Sequence, residues 1–179
     1  MTDGGNPASD QDGSAPSNRS AHDLLPSDLV ALAQGGVSVV IGCCDRHGNP
    51  LSGIGLGARI DPAGCIRVFA KRATNAPLLA AIAEGARVAV TFSRAIDHAS
   101  FQVKAHGAGV RDADPGDHPE ILRQCMVFRD ELIEIGLPPQ VANSWVNADM
   151  ADVVAISFRP CQAFMQTPGP GAGAPVSVP

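Results

Sequence analysis

The stretch Arg67-Val-Phe-Ala-Lys-Arg-Ala-Thr-Asn-Ala-Pro-Leu-Leu constrains this chain more than any other. Ile66, Val68 and Ala70 alternate with Arg67, Phe69 and Lys71, the two-residue period of a strand. A few residues on, Leu78, Leu79 and Ile82 form the packing stripe of a helix. Between the two periods lies a basic corner, Lys71-Arg72, followed by Thr74 and Pro77. The Thr74 hydroxyl is placed to accept a hydrogen bond from a first-turn amide. Pro77 is tolerated there because first-turn amides have no intrahelical acceptor. A helix start of this kind presents free N–H groups and a partial positive charge, so the corner suits a phosphate. The same pattern equally describes a surface turn whose two cations are solvated.

Around that corner the chain reads as paired strands. Residues 37–44 are almost continuously apolar, a polar turn with glycine follows, and residues 51–60 return, which predicts a hairpin. Gly53, Gly55 and Gly57 alternate in the returning strand. They leave room for something flat against the backbone, or they mark a tight barrel bend. They are not a dinucleotide fingerprint, because no helix follows. Residues 65–71 and 87–93 are further strands, and residues 99–110 read as one long strand. Its Phe101, Val103, Ala105 and Gly107 face one way, and Ser100, Gln102, Lys104 and His106 face the other. That polar face serves solvent, a cofactor groove or a subunit interface. A short helix from Ser27, a long one from about His118 and a shorter one after Pro138-Pro139 complete the pattern. The last strand, 152–158, is confined by Pro160 to an edge or an end. The predicted class is α+β: an antiparallel split β-barrel with flanking helices.

Length and charge narrow the function. A chain of 179 residues suits one domain. Residues 1–21 lack large apolar side chains and read as a disordered tail. Residues 22–165 form the domain, and 166–179 a Pro/Gly-rich tail. A net charge of −5 and only 4% aromatic residues argue against a nucleic-acid surface. No apolar run approaches a membrane span, and the N-terminus has no secretory apolar region, so the expected home is the cytoplasm. Five cysteines without a C-x-x-C spacing indicate neither a disulfide framework nor structural zinc. No His/Asp/Glu cluster has metal-ligand spacing, which disfavours a metallohydrolase.

The corner motif, the strand Ala86-Arg-Val-Ala-Val-Thr-Phe-Ser93 and the strand Ser100-Phe-Gln-Val-Lys-Ala-His-Gly-Ala-Gly-Val110 together resemble the pyridoxamine 5'-phosphate oxidase-like family. The likeness spans roughly residues 28–111. It implies an FMN-binding split barrel, with the flavin in a groove between the subunits of a homodimer and a small-molecule substrate. It also implies FMN contacts from Phe69, Lys71, Arg72, Thr74, Asn75, Ser100 and Gln102. Of these, Thr74 holds the phosphate as the hydroxyl residue, and Gln102 reaches the ring with Ser100 beside it. There are departures. Residues 53–58 carry no basic side chain, and Arg59 is displaced by one residue, which turns a strand side chain to the opposite face. Ala76 stands where a lysine is expected, and the family's C-terminal substrate-binding residues are missing. Oxidation of pyridoxamine phosphate itself is therefore not expected. The resulting reading is a flavin-dependent oxidoreductase, with His106 as a candidate proton donor. The alternative is a non-catalytic holder of FMN, haem or a deazaflavin, with His47 and His106 as the candidate haem ligands.

Overall fold

The computed structural model describes residues 25–176, so the tail predicted over residues 1–21 lies outside the described residues. Eight strands form one antiparallel sheet: β1 (Ser38–Cys44), β2 (Pro50–Ile60), β3 (Ile66–Lys71), β4 (Val88–Ser93), β5 (Ser100–Ala105), β6 (Gly109–Asp112), β7 (Val153–Phe158) and β8 (Gln162–Met165). Their order is β6-β7-β3-β2-β1-β4-β5-β8. Among the described residues, four helices flank the sheet: α1 (Ser27–Ala33), α2 (Ala76–Ala83), α3 (His118–Glu134) and α4 (Pro139–Val146). The sheet is hydrogen-bonded as an open ribbon, but it curls. Only three residues join β5 to β6, which lie near opposite ends of the order. Such a link reaches at most about 14 Å, so the two ends of the sheet must approach each other.

Strand alternation builds the main core. Val39, Ile41, Val88, Val90, Phe92, Phe101, Val103 and Ala105 point inward and are buried. Phe92 and Phe101 sit opposite each other in the register and stack at 5.1 Å. Leu78 and Ile82 of α2 and Leu29 of α1 close this core. A second, smaller cluster lies on the other face, where Leu56, Phe69, Val153 and Ala155 meet Ile121 and Cys125 of α3.

A β-bulge between Gly55 and Gly57 decides which β2 side chains go where. The extra residue resets the alternation. Ahead of it, Gly53 and Gly55 face the main core side; behind it, Ala58 does. Leu56 and Gly57 therefore both face α3. Past the bulge, Arg59 stands opposite Arg67, and both guanidinium groups donate to the buried Asp117 carboxylate at 2.7 Å. The three glycines make room for side chains of this same chain. A Cβ at Gly53 would lie 2.0 Å from Asn75 Oδ1, and one at Gly57 would lie 2.6 Å from Gln124 Oε1.

Beyond Gly55, β2 has no β1 partner on its free edge. Two glutamines take over that edge. Gln124 accepts from the Ala58 N–H at 2.9 Å and donates to the Ala58 carbonyl at 2.8 Å. Gln34 accepts from the Ile60 N–H at 3.0 Å. These bonds satisfy backbone groups that burial would otherwise leave costly.

Three sequence expectations change. The long strand 99–110 is two strands: the chain leaves the sheet at His106 and re-enters at Gly109, paired with β7. β7 is interior, between β6 and β3, and Pro160 follows its end. Residues 166–176 fold back on the sheet, although no apolar pattern announces it. The Gln166 and Thr167 amides donate to the Ser100 carbonyl, and the Ser100 amide donates to Thr167 Oγ1 at 2.9 Å. Met165 and residues 173–174 exchange further backbone bonds.

Candidate functional site

The corner after β3 is more ordered than its sequence suggests. Ala73–Asn75 form a single 3-10 turn ahead of α2. Thr74 does not cap the helix; its hydroxyl accepts from the Asn75 side-chain amide at 3.2 Å. Asn75 is buried and acts as a lock. Its Nδ2 donates to the Lys71 carbonyl at 2.7 Å, and its Oδ1 accepts from the Ile54 N–H at 3.2 Å. The space that this amide occupies is the space Gly53 leaves free.

The free amide that would meet an anion already has one. The Ala73 N–H donates to the Asp152 carboxylate at 3.2 and 3.3 Å. Arg72 pairs with Asp112 and does not line the cavity that Lys71 borders. The charges that attract a phosphate are thus partly met from within the chain. Lys71 makes no ion pair among the described residues. It lines a cavity of about 210 Å³ with Thr74, Ile54, Leu56 and Trp145 of α4. A phosphate fits such a space, whereas a whole cofactor needs a larger one.

The larger space continues along the uncovered outer face of the sheet. Registers place Ile54 opposite Val40, Val40 opposite Thr91, Thr91 opposite Gln102, and Gln102 opposite Phe164. One row therefore crosses five strands. Ile54 is 41% exposed and Val40 39%, unusual for large apolar residues on central strands. Gln102 Nε2 donates to Thr91 Oγ1 at 3.0 Å, which orients its amide along the row. Lys71 on β3 and Gln102 on β5 are four strands apart, roughly 19 Å at the usual inter-strand spacing.

The sequence-predicted residues divide accordingly. Lys71 and Thr74 border the small cavity, and Gln102 lies on the uncovered row. Asn75 holds the corner from behind. Ser100 is buried beneath residues 166–167, to which its backbone is bonded. Phe69 is wholly buried under α3, so its ring has no surface open to a ligand. Sequence reasoning missed Trp145, Val40, Ile54 and Phe164. The sole tryptophan, on a short helix with no charged residue, was a usable signal. The row was not, because it depends on register. His47 sits in the exposed β1–β2 turn, and His106 lies just past β5 beside a different cavity. No group of three or more His, Cys, Asp or Glu among the described residues is placed to hold a metal ion.

The curled open sheet, its two-glutamine edge and the helices on both faces define a split barrel, and the chain has the fold of the pyridoxamine 5'-phosphate oxidase-like proteins. No family model matches the sequence, and no curated protein matches it. Solved structures do match. A putative pyridoxamine 5'-phosphate oxidase from Lactobacillus delbrueckii aligns over 79% of this chain and 94% of its own, at 16% identity and a TM-score of 0.50. HupZ from Group A Streptococcus aligns over 83% of this chain and 100% of its own, at 11% identity and a TM-score of 0.51. At these identities the likeness is one of fold. Among the described residues, no helix is long and apolar enough to cross a membrane.

Proposed function

We propose that this chain binds FMN on the uncovered sheet face as a homodimer, and that it acts as a flavin-dependent oxidoreductase on a small molecule. The observation that carries this reading is the row itself. It begins at Lys71, which makes no ion pair among the described residues, runs over two exposed aliphatic side chains on central strands, and reaches the oriented Gln102 amide before Phe164. When bound, FMN supplies the redox chemistry. Lys71 and Thr74 meet its phosphate with one full charge and one hydroxyl. Ile54 and Val40 offer the flat apolar bed that a fused ring needs, and Gln102 offers hydrogen bonds to the ring's polar edge. One copy leaves that bed open to water. A second copy laid over it excludes water and accounts for the exposed Val40 and Ile54. The five cysteines stand free, two of them exposed, which suits a reducing cytoplasm.

A second reading rests on one further observation. Between Lys71 and Phe164 the row carries no titratable side chain. That favours a non-catalytic holder of FMN, or of a deazaflavin or haem, over any reaction that needs a general acid on the row.

Absorption of the purified protein tests both. A flavin band near ~450 nm supports FMN, and a Soret band supports haem. Lys71→Ala is expected to lower flavin content while leaving the unfolding midpoint of the flavin-free protein unchanged. Sedimentation as a monomer, or equal flavin content in wild type and variant, counts against the assignment. Reduction of the bound flavin by NADPH separates an enzyme from a holder.

A further inference from the structure

Two residues along the strands from the proposed flavin row, the same outer face sinks. Gly42 lies opposite Ala89, and Ala89 opposite Lys104. Two of the smallest side chains thus sit side by side on central strands. The depression opens into a cavity of about 680 Å³, larger than the one beside Lys71. Its walls are of two kinds. Pro50, Leu51 and Val88 contribute apolar surface. Among the described residues, Arg87, Lys104 and His106 contribute every titratable nitrogen on the lining, and no Asp or Glu lines it.

That combination is selective. The chain carries a net charge of −5, yet this cavity collects three basic side chains and no acidic one. None of the three makes an ion pair among the described residues. Six other arginines, Arg59, Arg67, Arg72, Arg94, Arg123 and Arg129, each meet a carboxylate, and Arg46, Arg111 and Arg159 make no ion pair among the described residues but line neither cavity. Lys104 is also held in place, with its ammonium 4.9 Å above the Phe164 ring. Cations left unpaired around an apolar hollow supply the two things that an organic anion needs: charge-assisted hydrogen bonds at one end and a dry surface at the other.

We propose that this cavity is a binding site for a small organic carboxylate, its anionic end met by Arg87, Lys104 and His106 and its hydrocarbon body seated over Gly42 and Ala89. The site adjoins the proposed flavin row through the Lys104–Phe164 contact, but its test is separate, because it perturbs none of Lys71, Thr74 and Gln102.

The test is a titration of the ¹⁵N-labelled full chain at constant ionic strength, with sodium benzoate, benzamide and inorganic phosphate as separate probes. Constant ionic strength matters because salt screens exposed charges. Benzoate is expected to shift the amides of Gly42, Ala89 and Ala105, with a Kd on the order of 1 mM. Benzamide and phosphate are expected to leave them in place at the same concentration. The combined variant Arg87→Gln with Lys104→Gln is expected to weaken benzoate binding roughly tenfold or more. Both side chains are exposed, so the unshifted remainder of the spectrum verifies the fold. Benzamide shifting the amides as benzoate does would reduce the site to an apolar hollow. Phosphate doing so would reduce it to bare charge. Undiminished binding in the double variant, or no shift with benzoate, would overturn it outright.

Discussion

Replacing Gln124 by leucine removes the side chain that finishes the β2 edge. Gln124 is buried and makes two bonds to Ala58, accepting from its N–H at 2.9 Å and donating to its carbonyl at 2.8 Å. Leucine has nearly the same volume and fills the slot beside Gly57, but it offers neither bond. Two backbone groups on a fully buried residue then lose their partners. Each orphaned group costs about 1–3 kcal/mol. Added apolar burial offsets about 1 kcal/mol. The net loss is about 1–5 kcal/mol, which for a domain of this size lowers Tm by about 2–20 °C. Urea unfolding followed by circular dichroism reads the loss directly, provided the slope m is unchanged. Gln34→Leu is the internal comparison. It removes one bond, to the half-buried Ile60 amide, and is expected to cost about 0.5–1.5 kcal/mol. A Gln124→Leu loss below about 0.5 kcal/mol would refute the reasoning, because it would mean that water reaches the β2 edge.

Three further outcomes are expected. Gly53→Ala puts a methyl group 2.0 Å from Asn75 Oδ1; expelling that amide should cost about 2–4 kcal/mol in urea unfolding and lower the content of the proposed flavin, and a wild-type midpoint would contradict the lock. Hydrogen bonds from Arg94 and the Ala99 amide hold the Asp97 carboxyl down at about 2, below its ordinary 3.8. A depressed carboxylate contributes stability that is present above its unfolded value and lost as pH falls through the folded one, so the difference between wild type and Asp97→Asn should shrink as pH drops from about 4 to about 2; a constant difference across that window would show the pair contributes nothing. Burial pushes the Cys125 thiol up to about 11, so iodoacetamide at pH ~8 should label the exposed Cys44 and Cys161 well before Cys125, a ranking that peptide mass spectrometry reads and that early labelling of Cys125 would reverse.

The sequence by itself determined most strands and helices, because their periods are written in neighbouring residues. Residues 37–44 read as a strand buried on both faces because almost all are apolar, and only the structure separates the buried Val39, Ile41 and Cys43 from the exposed Val40 and Cys44. The sequence also determined the strand–corner–helix order around Lys71 and the antiparallel pairing, which follow from local period and short connections. Tertiary structure alone decided everything that depends on which residues meet across strands. The bulge at Gly55–Gly57 has no period of its own, yet it sends Gly57 to Gln124 of α3 and Arg59 to Asp117. The long polar strand was cut at His106 because Gly109–Asp112 finds its partner in β7, more than forty residues further along the chain. Arg72 reads as a phosphate ligand until Asp112 arrives from that same distant pairing. The row from Ile54 to Phe164 and the basic hollow beside it are products of register. A one-residue slip in any of their strands would dissolve both while leaving every local pattern intact, and that is why no local pattern could announce them.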